Sequence, residues 1–181
     1  MRYLLDSNIF IESHKRFYNM AVFPCFWAGL VTMAQNGLIF TIDKVKDEVY
    51  AGKDDVKTWL KNNFPAKAIL PVDEITMASY QRIQTTVRDT GKYKSSTLNG
   101  YAAETLADPF ICAYALGHGN ISVVSYETSK PSSKTEIKIP DVCNLIGVPC
   151  IQLYDMLLAL KASFGGTVSG LNIPTIEPSL F

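Results

Sequence analysis

The first twelve residues, Met1 to Glu12, constrain the fold most, because an apolar run ends there in three polar side chains. Tyr3 to Leu5 predict a short buried strand, and Asp6-Ser7-Asn8 follow it directly. Asp, Ser and Asn side chains also cap helices, since they accept hydrogen bonds from the free amides of a first turn. The pattern therefore predicts a strand, a polar site and a helix to about Phe17. Ligands gather beyond the carboxyl ends of strands in an open parallel sheet, so Asp6 is a candidate site residue.

Composition narrows the class of protein. The 181 residues are 48% hydrophobic and 11% aromatic, which is enough for one domain with a substantial core. Seventeen basic residues balance seventeen acidic ones, so any nucleic-acid site has to be a local patch. Asp6, Asn8 and Glu12 interrupt what would be the apolar core of a signal peptide. We expect a soluble, cytoplasmic protein with no membrane partner, whose four cysteines are reduced because they form no CxxC pair.

Apolar spacing predicts strands alternating with helices, which is typical of an α/β fold with a parallel sheet. The predicted helices span residues 23–35, 44–51, 53–64, 73–91, 108–116, 140–145 and 154–164. The predicted strands or extended segments span residues 38–42, 68–72, 121–124 and 148–153. Residues 92–100 are predicted to be a loop, and 101–106 one or two helical turns. We expect a domain over 1–164 and a tail over 165–181, which has three glycines and two prolines.

Two further acids lie on inward-facing helix stripes. Glu48 shares its stripe with Val45 and Val49, whereas Asp47 points elsewhere. Asp108 is predicted to cap a helix whose first position is Pro109, and it falls in helical register with apolar residues of the interior face. A role as a cap alone is the alternative to a role in a site. An unpaired buried carboxylate is costly, so an inward acid suggests a site.

Glu127 follows the strand 121–124 and the polar pair Ser125-Tyr126, which repeats the pattern at Asp6. Asp6, Glu48, Asp108 and Glu127 are therefore expected to meet at one edge of the sheet. Four clustered carboxylates repel one another unless a cation neutralises them. With no His or Cys placed among them, the cation is expected to be Mg²⁺ or Mn²⁺. One or two such ions could orient water for in-line attack on a phosphodiester.

Other polar residues carry weaker predictions. Four lysines in polar segments could contact RNA phosphates or could simply be solvated: Lys92, Lys94, Lys130 and Lys134. Glu104 and Asp141 are interpreted as structural acids, and Trp27 and Trp59 as core residues. An ordinary loop acid remains an open alternative for Glu127.

Several segments resemble PIN-domain ribonucleases, which include the toxins of VapBC-type toxin–antitoxin pairs. The resemblance covers about Tyr3 to Leu160. Its motifs are Leu4-Leu5-Asp6-Ser7-Asn8-Ile9-Phe10-Ile11, Val45 to Val49, and Asp108-Pro109-Phe110-Ile111-Cys112-Ala113-Tyr114-Ala115. Trp59, Ser125-Tyr126-Glu127 and Lys138-Ile139-Pro140-Asp141-Val142-Cys143 are similar to an uncharacterised bacterial PIN-like branch.

The resemblance implies a three-layer α/β/α fold with a central parallel sheet and a divalent-metal site. It assigns Asp6, Glu48 and Asp108 as metal ligands and catalytic acids, with Ser7, Asn8 and Ser125 shaping the site. Glu127 becomes the fourth acid, although many family members have Asp after Thr where Ser125 and Glu127 stand. An antitoxin partner and a homodimer are likewise implied by the resemblance alone.

We therefore expect a Mg²⁺- or Mn²⁺-dependent endoribonuclease, the toxin of a toxin–antitoxin pair. A non-catalytic PIN-like module that binds nucleic acid or regulates is the alternative, which scattered acids would favour. A phosphatase of the haloacid-dehalogenase type ranks last, because it requires a second Asp where Asn8 stands.

Overall fold

The computed structural model describes residues 1–164, and the predicted tail over 165–181 lies outside the described residues. Within this range five strands form one parallel sheet in the order β3-β2-β1-β4-β5. The strands are β1 Arg2–Leu5, β2 Ile39–Ile42, β3 Ile69–Leu70, β4 Ile121–Val124 and β5 Cys150–Ile151. Helices flank the sheet, so the predicted three-layer α/β/α architecture is confirmed.

Nine α-helices lie within residues 1–164: α1 Ser7–Glu12, α2 Pro24–Gln35, α3 Asp43–Ala51, α4 Asp55–Asn63, α5 Glu74–Asp89, α6 Ser95–Tyr101, α7 Asp108–His118, α8 Ile139–Ile146 and α9 Leu153–Ala159. A π-helical turn, Ser13–Phe17, extends α1. A 3₁₀ turn, Ala66–Ala68, leads into β3. None of the helices in this part of the chain is both long and apolar enough to cross a membrane.

The central strand β1 sets the position of the site. Leu4 and Leu5 are fully buried, as expected for a strand covered on both faces. Leu5 is paired with Val124, and β2 runs parallel on the other side of β1. Because all strands are parallel, their carboxyl ends share one edge of the sheet, so the polar residues after β1 and β4 meet there.

Helix α7 packs closely on α5. A Cβ atom on Gly117 would lie 2.7 Å from Ser79 Oγ and 2.9 Å from Ile75 Cγ2, so only glycine permits this approach. The Tyr80 and Phe110 rings stack with centroids 4.5 Å apart. These contacts fix the position of α7 against α5, and Asp108 is the first residue of α7.

Three predictions of where helices and loops lie are wrong. Residues 92–100 are not all loop, because α6 occupies Ser95–Tyr101 and buries Tyr101 in the core. No helix spans Ala102–Leu106; the helical turns lie just upstream. The last predicted helix ends at Ala159, soon before Lys161 adopts a positive φ of 52°. The pattern does not predict α6 because its sequence is polar and contains a glycine. The stability of α6 comes from the side chains it buries.

The remaining core predictions are confirmed. Trp27 is buried, and Trp59 packs against it with ring centroids 4.7 Å apart. The four cysteines are free thiols, and Cys112 and Cys143 are buried.

Candidate active site

Asp6 is a buried carboxylate fixed by its neighbours at the end of β1. Its side chain is only 2% exposed. The Ser7 backbone N–H donates to Oδ1 at 2.6 Å, which caps α1 as predicted, and the Ser125 hydroxyl donates to Oδ2 at 2.8 Å. Burial raises the pKa of Asp6 to about 7, although these two hydrogen bonds oppose the shift. The charges of Glu127 and Glu48 raise the pKa further.

Asn8 and Ser125 join the ends of β1 and β4. The Asn8 amide donates to Ser125 Oγ at 3.0 Å, and its oxygen accepts from the Tyr126 N–H at 2.9 Å. Ser125 Oγ also accepts from the Glu127 N–H at 3.0 Å. With these two donors in place, the one hydroxyl proton of Ser125 is directed at Asp6. The two polar residues therefore fix the orientation of the Asp6 carboxylate.

Glu48 lies on α3 between the buried Val45 and Val49, whereas Asp47 is exposed, as the helical facing predicts. Glu48 Oε2 is buried and has no hydrogen-bond partner among the described residues. Burial raises the pKa of Glu48, the Ser7 hydroxyl opposes the shift, and the Glu127 charge adds to it. A buried carboxylate oxygen without a partner is costly unless something else satisfies it.

Asp108 is the first residue of α7, and Ala107 takes the N-cap position. The prediction that Asp108 caps this helix is wrong, because the N-cap is Ala107 and Asp108 lies one residue inside the helix. Burial raises the pKa of Asp108 to about 8, and the charges of Asp6, Glu127 and Glu48 contribute in that order. The opposing influence of Lys138 is smaller. The negative charges of the other three acids therefore act on this carboxylate more strongly than the positive charge of Lys138.

Glu127 differs from the other three acids because it has its own counter-charge. Lys138 Nζ lies 2.7 Å from Oε1, and the Ile139 N–H donates to Oε2 at 2.8 Å. This partner is not predictable from the sequence, since Lys138 lies eleven positions after Glu127 and nothing in the spacing predicts the path of the segment between them. The only available signal was that Lys138 belongs to a segment resembling the PIN-like branch.

The three remaining acids suit a hard cation. Each of Asp6, Glu48 and Asp108 has a pKa raised by burial and by negative neighbours, which a bound cation would reverse. The donor set is all oxygen, the type that Mg²⁺ and Mn²⁺ prefer. Within residues 1–164, however, no three His, Cys, Asp or Glu side chains lie close enough to form a ready-made metal site. A cation would therefore have to draw these carboxylates closer together.

The four predicted RNA-contacting lysines occupy two adjoining segments. The Lys94 N–H donates to the Lys134 carbonyl at 3.1 Å, which joins the segments that carry them. Lys130 pairs with Glu136 at 2.8 Å, and Lys92 lies over the Tyr93 ring. Asp141 accepts from Ser129 and the Lys130 N–H, which agrees with its predicted structural role.

Lys138→Met is expected to destabilise the protein by about 1–3 kcal/mol at pH 7, because it leaves the half-buried Glu127 carboxylate with one backbone donor. The free energy of unfolding from urea denaturation measures this loss. Lys130→Met is the matched control. It removes an equally short pair to Glu136, but both side chains are nearly half exposed, so we expect a loss below about 1 kcal/mol. Equal losses in the two variants would contradict the assignment.

Two solved structures share this fold. The chain aligns with VapBC2 from Rickettsia felis bound to a DNA fragment from their promoter, at a TM-score of 0.52 and 14% identity, covering 84% of this chain and 98% of that one. It aligns with FitAcB from Neisseria gonorrhoeae at a TM-score of 0.51 and 20% identity, covering 82% and 95%. The fold is therefore PIN-like, as the resemblance implies.

A family model described as a domain of unknown function, DUF4411, matches residues 3–164. The chain belongs to this family. The comparison with curated proteins gives no match.

Proposed function

We propose that this PIN-like protein is a divalent-metal-dependent endoribonuclease whose catalytic acids are Asp6, Glu48 and Asp108. The observation that carries the proposal is the buried Glu48 Oε2, which has no hydrogen-bond partner within residues 1–164, together with the raised pKa values of Asp6 and Asp108. Burial makes the ionised forms of these three acids unfavourable, and a bound cation would stabilise all three. Bound Mg²⁺ or Mn²⁺ would activate water for hydrolysis of an RNA phosphodiester.

The protein's own residues supply orientation and charge balance. Ser125 and Asn8 hold the Asp6 carboxylate in place through a satisfied hydrogen-bond network. Lys138 and the Ile139 N–H hold the Glu127 carboxylate at 2.7 Å and 2.8 Å, so this fourth acid has protein partners that balance its charge. We assign Glu127 a supporting role at the edge of the site. The segments that carry Lys94 and Lys134 are assigned to the RNA backbone, since lysines bind phosphates mainly through charge.

Purified protein is expected to cleave RNA when Mg²⁺ or Mn²⁺ is added and not in EDTA. Glu48→Gln keeps the size of the side chain but removes its charge, so we expect cleavage to fall about 100-fold or more. Asp47→Asn on the same helix is the matched control, because Asp47 is exposed and pairs with Lys46. Denaturing gels of a labelled RNA give the rates. Wild-type protein without metal-stimulated cleavage would refute the proposal.

The toxin–antitoxin context follows from the same resemblance. The two solved structures with this fold are VapBC2 and FitAcB. Their similarity to this chain supports the proposal that an antitoxin binds it. We infer that this chain is the toxin of such a pair and that a homodimer forms. Growth arrest on expression, relieved by co-expression of a neighbouring gene, is the expected result. Unimpaired growth in both cases would contradict it.

A non-catalytic PIN-like module that binds nucleic acid remains the second candidate. It is favoured by the lack of a ready-made metal site in residues 1–164 and by the pairing of Glu127 with Lys138. Titration with Mn²⁺ separates the two candidates, because the module would bind RNA without binding the metal at these acids.

A further inference from the structure

A cavity of about 330 Å³ adjoins the candidate active site. Its lining includes Asn8 and Glu127, two residues of the candidate active site, and it extends along the side of α1. Since the catalytic acids bind a phosphodiester in the proposed function, this cavity is in position to receive the neighbouring nucleoside.

One wall of the cavity is aromatic. Phe17 is 51% exposed, and its ring centroid lies 5.0 Å from that of Tyr126 at an interplanar angle of 41°. The Tyr126 hydroxyl lies 3.1 Å from the buried Ser13 Oγ, which fixes one ring against the body of the protein. Phe17 thus offers a flat apolar surface to solvent at the mouth of the cavity.

The backbone that presents Phe17 is unusual. Ser13–Phe17 forms a π-helical turn, in which the Tyr18 N–H donates to the Ser13 carbonyl. Isolated π turns are rare and occur frequently at functional sites, since they re-aim a side chain at some cost in stability. Here the turn carries Phe17 to the face of Tyr126.

The other walls carry donors and acceptors whose charges balance. Arg16 pairs with Glu12 at 2.6 Å, and Gln152 donates to the Glu127 carbonyl at 3.2 Å. The Glu127 carboxylate is neutralised by Lys138. A site without excess positive charge is poorly suited to a phosphate. A planar apolar surface rimmed by amide, guanidinium and carboxylate groups suits a nucleobase, which has an aromatic face and a hydrogen-bonding edge.

We propose that this cavity, the base subsite, binds an unpaired nucleobase of single-stranded RNA next to the phosphate that is cleaved. The base stacks on Phe17 while its edge meets Arg16 and Gln152. A base in a duplex is stacked on both sides by its neighbours and cannot enter, so the subsite selects single-stranded RNA. This inference rests on the proposed function only for the orientation of the RNA towards the acids.

Binding measured in EDTA tests the subsite without any chemistry. The probe is a short single-stranded RNA that contains 2-aminopurine, followed by fluorescence anisotropy and by quenching of the 2-aminopurine. Phe17→Ala is expected to raise Kd by about 5- to 100-fold, the loss of one base–aromatic stack. Phe17→Tyr keeps an aromatic face and is expected to retain binding within about twofold. The quenching of 2-aminopurine should be lost in Phe17→Ala and retained in Phe17→Tyr.

Tyr154→Ala is the matched control, because Tyr154 is an aromatic side chain, 65% exposed, that does not line the cavity. Its Kd should stay at the wild-type value, and binding of a duplex of the same sequence should not depend on Phe17. Equal Kd values for Phe17→Ala and Tyr154→Ala, or no binding of single-stranded RNA by the wild type, would overturn the inference.

Different results refute the base subsite and the nuclease. Metal-stimulated cleavage with unchanged binding by Phe17→Ala refutes the base subsite and leaves the nuclease. Binding that depends on Phe17, in a protein that cleaves nothing with metal present, supports the subsite and refutes the nuclease.

Discussion

Asp108→Asn is expected to abolish metal-stimulated RNA cleavage and, in the same protein, to raise the stability of the metal-free form. The loss of cleavage should reach about 1,000-fold or more, because one charged ligand to the cation disappears. The gain in stability follows from burial. The pKa of Asp108 is raised to about 8, so its ionised form is unfavourable in the folded protein at pH 8.5. The isosteric Asn carries no charge and avoids this cost.

The expected stabilisation is about 1–3 kcal/mol at pH 8.5, or an increase of several degrees in melting temperature. Thermal unfolding in EDTA measures it, and a gel assay with Mn²⁺ measures the cleavage rate. Asp141→Asn is the control, since Asp141 is also in the first turn of a helix but binds Ser129 and Lys130. It should lose some stability and keep the wild-type rate. Destabilisation by Asp108→Asn would show that this acid has a structural role.

Much of the fold could be predicted because local patterns and burial agree. The strand from Tyr3 to Leu5 and the strand 121–124 are short apolar runs, and both lie in the sheet as predicted. Helix α6 could not be predicted, since its sequence is polar and its stability comes from tertiary contacts of Tyr101. Local propensity does not contain that information.

The candidate site was predictable where side-chain direction follows from helical spacing. Glu48 faces inward and Asp47 faces outward because successive residues on a helix such as α3 point in different directions. The capping prediction for Asp108 failed because the same residue type serves as a cap or as a site acid, and sequence spacing does not separate the two.

Contacts between segments that are distant in the chain could not be predicted from the sequence. The pairing of Glu127 with Lys138 depends on the path of the segment between β4 and α8. The aromatic wall of the base subsite depends on a π turn that brings Phe17 onto Tyr126, more than a hundred residues away in the chain. Both contacts arise from packing at the edge of the sheet.

The stability of the metal-free protein is expected to fall as pH rises from about 5 to 8.5. The pKa of Asp6 is raised from 3.8 to about 7 and that of Asp108 from 3.8 to about 8. Between these values the folded protein binds more protons than the unfolded chain, so raising the pH favours unfolding. The full stability is present below about pH 4, and it is lost as pH passes through the raised values. We expect a decrease of about 3 kcal/mol or more in the free energy of unfolding.

Urea denaturation in EDTA across this pH range measures the decrease. The variant that combines Asp6→Asn with Asp108→Asn should show a nearly flat profile, whereas Asp47→Asn should keep the wild-type slope. Mn²⁺ must displace the same protons when it binds, so its stabilising effect on the wild type should be larger at pH 8.5 than at pH 5.5 and absent in the double variant. A wild-type stability that rises over this pH range would contradict the raised pKa values of Asp6 and Asp108. A Mn²⁺ effect that survives in the double variant would place the cation elsewhere and remove the main support for these acids as its ligands.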